Sequence, residues 1–137
     1  MIGRFDPDRK PILVDGFVTG RRRTVRVRFA IDTGATRTMI GTASLAAAGV
    51  DLSAPAGRGR MTAATGRATA PIFRLDQLTA LGQAKSDFRV VAHDLPLGVT
   101  YEGLLGLDFF RGSILTLDFA RGRIALRPPR RWWRFGW

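Results

Sequence analysis

The sequence has no cysteine and a single histidine, His93. Disulfide scaffolds, thiolate zinc sites and cysteine nucleophiles are thereby excluded, and one imidazole cannot build a histidine metal cluster. No Gly-x-Ser-x-Gly elbow is present, so the usual setting of a hydrolase serine is missing too. Long apolar runs are also absent: none approaches the roughly 20 residues that cross a bilayer. Met1 to Lys10 alternates charge with apolar residues and lacks the continuous hydrophobic stretch of a secretion signal. The expectation is a soluble, cytoplasmic protein that needs no cofactor.

What is present fits one folded domain. The 137 residues are 45% hydrophobic and 24% charged, enough for one core and not for two. The net charge of +11 suggests an anionic partner until its location is read. Residues 1–31 hold eight basic and three acidic side chains, residues 111–137 seven and one, and residues 32–110 seven of each. The excess therefore lies at the two ends, and the middle is neutral. Twenty of the 22 basic residues are arginine, which phosphate recognition or arginine-rich codon usage would each produce. The second explanation is preferred, because no aromatic interleaving or helix-turn-helix pattern accompanies the arginines in the body of the chain.

From Pro11 to Ile31 the pattern is extended. Ile12, Leu13, Val14, Phe17 and Val18 precede a turn at Gly20–Arg23, after which Val25, Val27 and Phe29 alternate with Thr24, Arg26 and Arg28. A period of two describes a strand with one wet face and accounts for its arginines as solvated positions. The strand runs into Ile31-Asp32-Thr33-Gly34-Ala35-Thr36, where Gly34 permits a sharp turn, and Met39-Ile40 resumes the apolar pattern. Thr42 is placed to cap a short helix through Ser44–Ala48 that Gly49 stops. Residues 54–60 read as a loop, and Met61–Ala70 as a hairpin with its tip at Thr65-Gly66, followed by a strand over Pro71–Leu75. Leu78–Gly82 turns into a strand over Phe88–Ala92. Gly103 to Phe110 is a second apolar strand end leading into a helical turn, and Ile114–Phe119 with Arg123–Arg127 forms a last hairpin. Helical periodicity covers little of the chain, so the class is all-β with one or two short helices.

A weak internal repeat runs through this pattern. Alternating strand, apolar strand end, glycine turn and short helix occur around Asp32-Thr33-Gly34 and again around Leu104-Leu105-Gly106. Two similar halves are implied, and only the first carries a carboxylate at its turn.

Asp-Thr-Gly is a short motif whose context makes it informative. It closes the apolar run Phe29-Ala30-Ile31, is followed by Ala35-Thr36 and Met39-Ile40, and is answered far along the chain by Leu104-Leu105-Gly106. In these residues the chain resembles the retropepsin-like aspartic proteases, the retroviral type and its bacterial single-domain relatives, over residues 11–127. The resemblance implies a retropepsin-like acid protease fold with one lobe per chain, flanked by an N-terminal arm (1–10) and a basic aromatic tail (128–137). It implies a catalytic Asp32 in the turn with Thr33, Gly34 and Ala35, supported from beneath by Leu104, Leu105 and Gly106. It further implies a flap, Met61–Ala70, in which Ala63, Ala64, Thr65 and Gly66 offer backbone groups to an extended peptide. Taken by itself, that stretch has an ordinary surface hairpin as its second, less favoured reading. Thr33 would brace the partner's turn, and Gly34 would let backbone groups approach the carboxylates.

The chemistry explains why one motif is not enough. Peptide hydrolysis without metal or covalent intermediate needs one ionised carboxylate to take a proton from water and one protonated carboxyl to polarise the carbonyl. Held about 3 Å apart, two carboxyls cannot both ionise and so share a proton. A chain with one such motif and no room for a second lobe is expected to work as a homodimer, with the two-fold axis between Asp32 and its mate. Pepsin-like sites often have a hydroxyl where Ala35 stands. Alanine offers no such hydrogen bond to the ionised form, so activity is expected nearer neutral pH. The chain also departs from the retroviral charge pattern: Thr36-Arg37 and Leu107-Asp108 suggest an exchanged pair, Arg37 with Asp108, while Asp108 could equally cap its helix.

Other residues are given no catalytic part. His93 reads as a loop histidine, and Glu102, beside Gly103, as a solvated side chain. The tail, with all three tryptophans among its arginines, could meet an anionic membrane or single-stranded nucleic acid, but packing on the body or the partner is the blander and preferred reading. Two alternatives to the homodimeric endopeptidase therefore stand: a catalytically silent dimeric scaffold that binds extended peptides, and a basic nucleic-acid or membrane-surface module.

Overall fold

The structure, a computed structural model, describes residues 2–63 and 66–129. Ala64, Thr65 and most of the arginine–tryptophan tail lie outside the described residues. In chain order the elements are β1 (Ile2–Arg4), β2 (Leu13–Thr19), β3 (Thr24–Ile31), β4 (Met39–Ile40), α1 (Thr42–Ala47), β5 (Gly57–Ala63), β6 (Gly66–Ala80), β7 (Gln83–Ala92), β8 (Gly103–Leu105), α2 (Leu107–Phe110), β9 (Ile114–Asp118) and β10 (Arg123–Arg127). The class is all-β, as the alternation implies.

The alternation in β3 becomes burial. Val27 and Phe29 are fully inside while Thr24, Arg26 and Arg28 face water, and β2 pairs antiparallel with it over its whole length. Each buried side chain of this size contributes roughly 1.5–3 kcal/mol. Phe29 also needs bare backbone beside it. A Cβ at Gly16 on β2 or at Gly103 on β8 would stand 2.7 Å from its ring. The strand that leads into Asp32 is thus clamped against both neighbours by an aromatic side chain over two glycines.

Seven strands form one sheet in the order β2-β3-β8-β4-β7-β6-β5, and β2 also pairs with β6, which bends the sheet back on itself in the manner of a barrel. Three more, β1-β10-β9, make a second sheet. The residues read as an N-terminal arm are partly built into this sheet: Ile2, Gly3 and Arg4 register with Ala125, Ile124 and Arg123. The main core joins Val18, Val27, Phe29, Leu45, Leu75, Leu78, Leu105, Phe109, Ile124 and Leu126, so both sheets close over it. A smaller cluster of Ala70, Ile72 and Val91, with Met39 and Met61 against it, lies apart from that core.

Several boundaries differ from the sequence reading. The stretch 54–60 is loop only to its middle, because β5 begins at Gly57 and pairs with β6 up to Ala63↔Gly66. Strand β6 runs through Pro71 and on to Ala80, and the turn expected across Leu78–Gly82 is the two-residue link Leu81-Gly82. Both link residues have positive φ, 52° and 76°, as a hairpin turn twisted to match its strands requires. Thr42 does not cap α1 from outside the helix. Gly41 occupies the cap position without a side-chain bond, and Thr42 donates both its N–H and its hydroxyl to Asp94 Oδ1 at 2.8 Å. Gly49, at φ 81°, lies just past the end of that helix, as expected.

Candidate active site

Strand β8 inserts between β3 and β4, parallel to the first and antiparallel to the second. The pairings Ala30↔Leu104 and Ile31↔Leu105 carry the register straight to the two glycine turns. There the Asp32 N–H donates to the Leu105 carbonyl at 2.9 Å, and the Leu107 N–H donates to the Ala35 carbonyl at 2.8 Å. Asp32, Thr33, Gly34 and Ala35 are therefore tied from both ends to Leu104, Leu105 and Gly106. A Cβ at Gly106 would lie 2.6–2.8 Å from the backbone of Arg37 and the Ala35 carbonyl, so only glycine fits this crossing.

Within the first turn the chain folds tightly about its own carboxylate. The Ala35 N–H donates to the Asp32 carbonyl at 3.1 Å, and the Gly34 N–H donates to Asp32 Oδ1 at 3.0 Å. That second bond fixes one carboxylate oxygen on backbone. Asp32 is half-buried, while Thr33 and Gly34 are exposed. The site thus presents an acid from a braced turn at an open surface.

The residue that binds the turns together is Thr38, the one polar side chain fully buried among the described residues. Its hydroxyl accepts from the Gly106 N–H at 3.1 Å and donates to Asp108 Oδ1 at 2.7 Å, while its own N–H donates to the same carboxylate at 2.9 Å. Buried polar groups need such partners, and here each is satisfied. The expected pair between Arg37 and Asp108 is accordingly not formed. Asp108 gives its oxygens to Thr38, and Arg37 is exposed. Nor does Asp108 cap α2, since Gly106 holds that position and Asp108 lies inside the first turn. Thr38 was legible in principle: it stands two residues before buried Ile40, on the inward step of the alternation.

The remaining acids are engaged elsewhere. Glu102 is exposed and accepts the Arg28 N–H at 2.8 Å, at the other end of β8 from Gly106. Asp94 holds the start of α1, and these two bonds, the Thr42 N–H first and its hydroxyl second, lower its carboxyl below the ordinary range. Among the described residues no hydrogen bond or ion pair joins a second acid to Asp32, and no group of three His, Asp or Glu gathers as a metal ion would require. His93 is an exposed residue whose N–H donates to the Ile40 carbonyl.

Across from the turn stands the β5–β6 hairpin. Its described end pairs Ala63 with Gly66, at φ 130°, while Ala64 and Thr65 lie outside the described residues. The turn and the hairpin share a cleft of about 250 Å³, lined by Gly34, Ala35 and Arg37 from one and by Arg60 and Met61 from the other.

A barrel-like β-sheet lobe thus presents an aspartate on a glycine turn, with a hairpin across a cleft from it, an arrangement suited to an aspartic peptidase. The profile of the aspartyl protease family matches residues 14–109. This chain belongs to that family and is a peptide hydrolase. Among solved structures, it is similar to a retropepsin-like aspartic protease from Rickettsia conorii, with a TM-score of 0.70 and 19% identity over 93% of this chain and 89% of that one. The two share the retropepsin-like fold. No match to a curated protein accompanies these findings. Among the described residues no helix is long and apolar enough to cross a membrane.

Proposed function

We propose that the working endopeptidase is a homodimer in which two Asp32 side chains, one from each copy, hold one water between them across a two-fold axis. The observation behind this reading is the contrast between the turns: one offers a carboxylate, the other only Leu105 and Gly106. An extended peptide lies between the copies as an added strand, under the β5–β6 hairpins.

The ionised carboxylate takes a proton from the water as its oxygen bonds to the scissile carbonyl carbon. The protonated carboxyl gives its proton to the carbonyl oxygen, so a neutral diol forms. The C–N bond then breaks, and its electron pair takes the proton from the first carboxyl. A diol hydroxyl returns a proton to the second as the carbonyl re-forms. The pair ends with one proton, as it began. The Gly34 N–H on Asp32 Oδ1 holds the carboxylate in orientation throughout.

A concentration series of peptide cleavage tests this. Specific activity should rise with protein concentration as dimers form, and Asp32→Asn should lower kcat/KM by on the order of 10⁴-fold. Excess Asp32→Asn protein mixed with wild type should poison activity through mixed dimers. A protein that stays monomeric in the ultracentrifuge yet cleaves peptides would sink the proposal. Binding without cleavage by the wild type would leave a peptide-binding scaffold of the same fold.

A further inference from the structure

The cleft between the Asp32 turn and β5 has two unlike ends. Val91 is buried and belongs to the small apolar cluster with Met39 and Met61, whereas Arg37 and Arg60 are exposed. The deep end is thus apolar, and the mouth is cationic. The four ion pairs among the described residues join Arg26 and Arg28 to Asp15, Arg74 to Asp87 and Arg121 to Asp118. Neither Arg37 nor Arg60 takes part in them, and among the described residues no acidic side chain lines the cleft.

This placement is not part of the general arginine excess. Residues 32–110 are charge-balanced, with seven basic and seven acidic side chains. Two guanidinium groups on separate elements over one space repel each other unless an anion lies between them. A guanidinium fork recognises a carboxylate through paired, charge-assisted hydrogen bonds, which an ammonium cannot match in geometry. Thioether side chains at the deep end adapt to the methylenes of an incoming residue.

We propose that this cleft is a specificity subsite for an acidic side chain, glutamate or aspartate, in the peptide bound across the Asp32 turn. The assignment rests on the proposed function above for the path of the peptide. The substrate carboxylate lies between Arg37 and Arg60, and its methylenes lie against Met39 and Met61. Protein segments with an acidic residue near an extended, cleavable stretch are then the preferred substrates, and basic segments, like much of this chain's own surface, are poor ones.

The test uses a randomised octapeptide library and the full-length protein in two arms. In one, the wild type digests the library and the products are sequenced by mass spectrometry. In the other, immobilised Asp32→Asn protein captures peptides without cutting them. Glutamate and aspartate should be enriched about three- to tenfold at one position in both arms. The enrichment should shrink at 0.5 M salt, since exposed charge pairs are screened. It should turn toward lysine and arginine in the Arg37→Glu/Arg60→Glu protein, and Arg37→Gln alone should reduce it if the double variant folds poorly. Absence of acidic enrichment in both arms, or enrichment that survives both salt and charge reversal, overturns the subsite. Acid-enriched capture without any cleavage would instead remove the hydrolytic reading and leave the subsite in place. Cleavage with no preference would do the reverse.

Discussion

The two glycine turns of this lobe follow the same design of strand, turn and short helix, and they are used differently. Around Leu104-Leu105-Gly106 the turn faces inward: Leu105 is fully buried, Gly106 is pressed against the backbone of residues 35 and 37, and Phe109 of α2 packs in the core. Around Asp32-Thr33-Gly34 the backbone is braced but the side chains are open to solvent. The bracing runs from one to the other, through Asp32 to Leu105, Leu107 to Ala35 and Gly106 to Thr38. One turn supplies rigidity and the other exposes the Asp32 carboxylate, so the acid is held without being buried. A preorganised carboxylate is what general acid–base work needs, and a half-buried one stays within reach of water and substrate.

Glycine substitutions should separate the two roles most strongly. Gly106→Ala places a methyl 2.6 Å from backbone that cannot yield, and should cost about 3 kcal/mol or more or prevent folding, as read from urea midpoints. Gly34→Ala meets only Asp32 Oδ1, at 3.2 Å, with no strained φ. It should change stability by less than about 1 kcal/mol while displacing the carboxylate and lowering kcat/KM by roughly ten- to hundredfold. Equal stability losses at both positions would break the contrast. Thr38→Val keeps the shape and removes the hydroxyl that links them, leaving the Gly106 N–H and part of Asp108 unpaired. About 2 kcal/mol should be lost.

How much of this was legible depends on whether a residue's role follows from its own side chain. The alternation of β3 and the Asp-Thr-Gly turn could be read directly, because periodicity and a reactive acid are local signals. β5 was hidden. Gly59 on it is buried, with space for a Cβ only 3.2 Å from Ile72, so a glycine chosen for close packing reads as a loop residue. Pro71 likewise suggests a break, yet it sits within β6 opposite Arg58. For Asp108, charge counting favours an arginine partner, whereas the actual donors are the hydroxyl and N–H of Thr38, next to Arg37. Such a bond depends on the direction in which Thr38 points, and β4 had to be placed before that direction was fixed. A consequence is that Arg37→Gln should leave stability within about 0.5 kcal/mol of wild type in urea melts. A loss comparable to that of Thr38→Val would mean that Arg37 braces the turn after all.

The two helices that follow the turns extend the comparison to a finer scale. Each is held by an aspartate that accepts from both the N–H and the hydroxyl of one threonine: Asp108, in the first turn of α2, with Thr38, and Asp94 with Thr42 at the start of α1. Thr38 is buried, whereas Asp94 is exposed, so water competes for the second pair and its removal should cost less. The Asp94 contribution also carries a pH signature. Because the Thr42 N–H, and after it the Thr42 hydroxyl, lower the folded-state carboxyl below its unfolded value, the stabilisation is fully present above the unfolded value of about 4. It fades as pH falls through the lower folded value. Asp94→Asn should therefore show its small deficit relative to wild type between about pH 5 and 8, and that deficit should shrink below about pH 4 when thermal midpoints are compared. A deficit that stays constant across this range would mean that the bond geometry at Thr42, and not the charge on Asp94, anchors the helix.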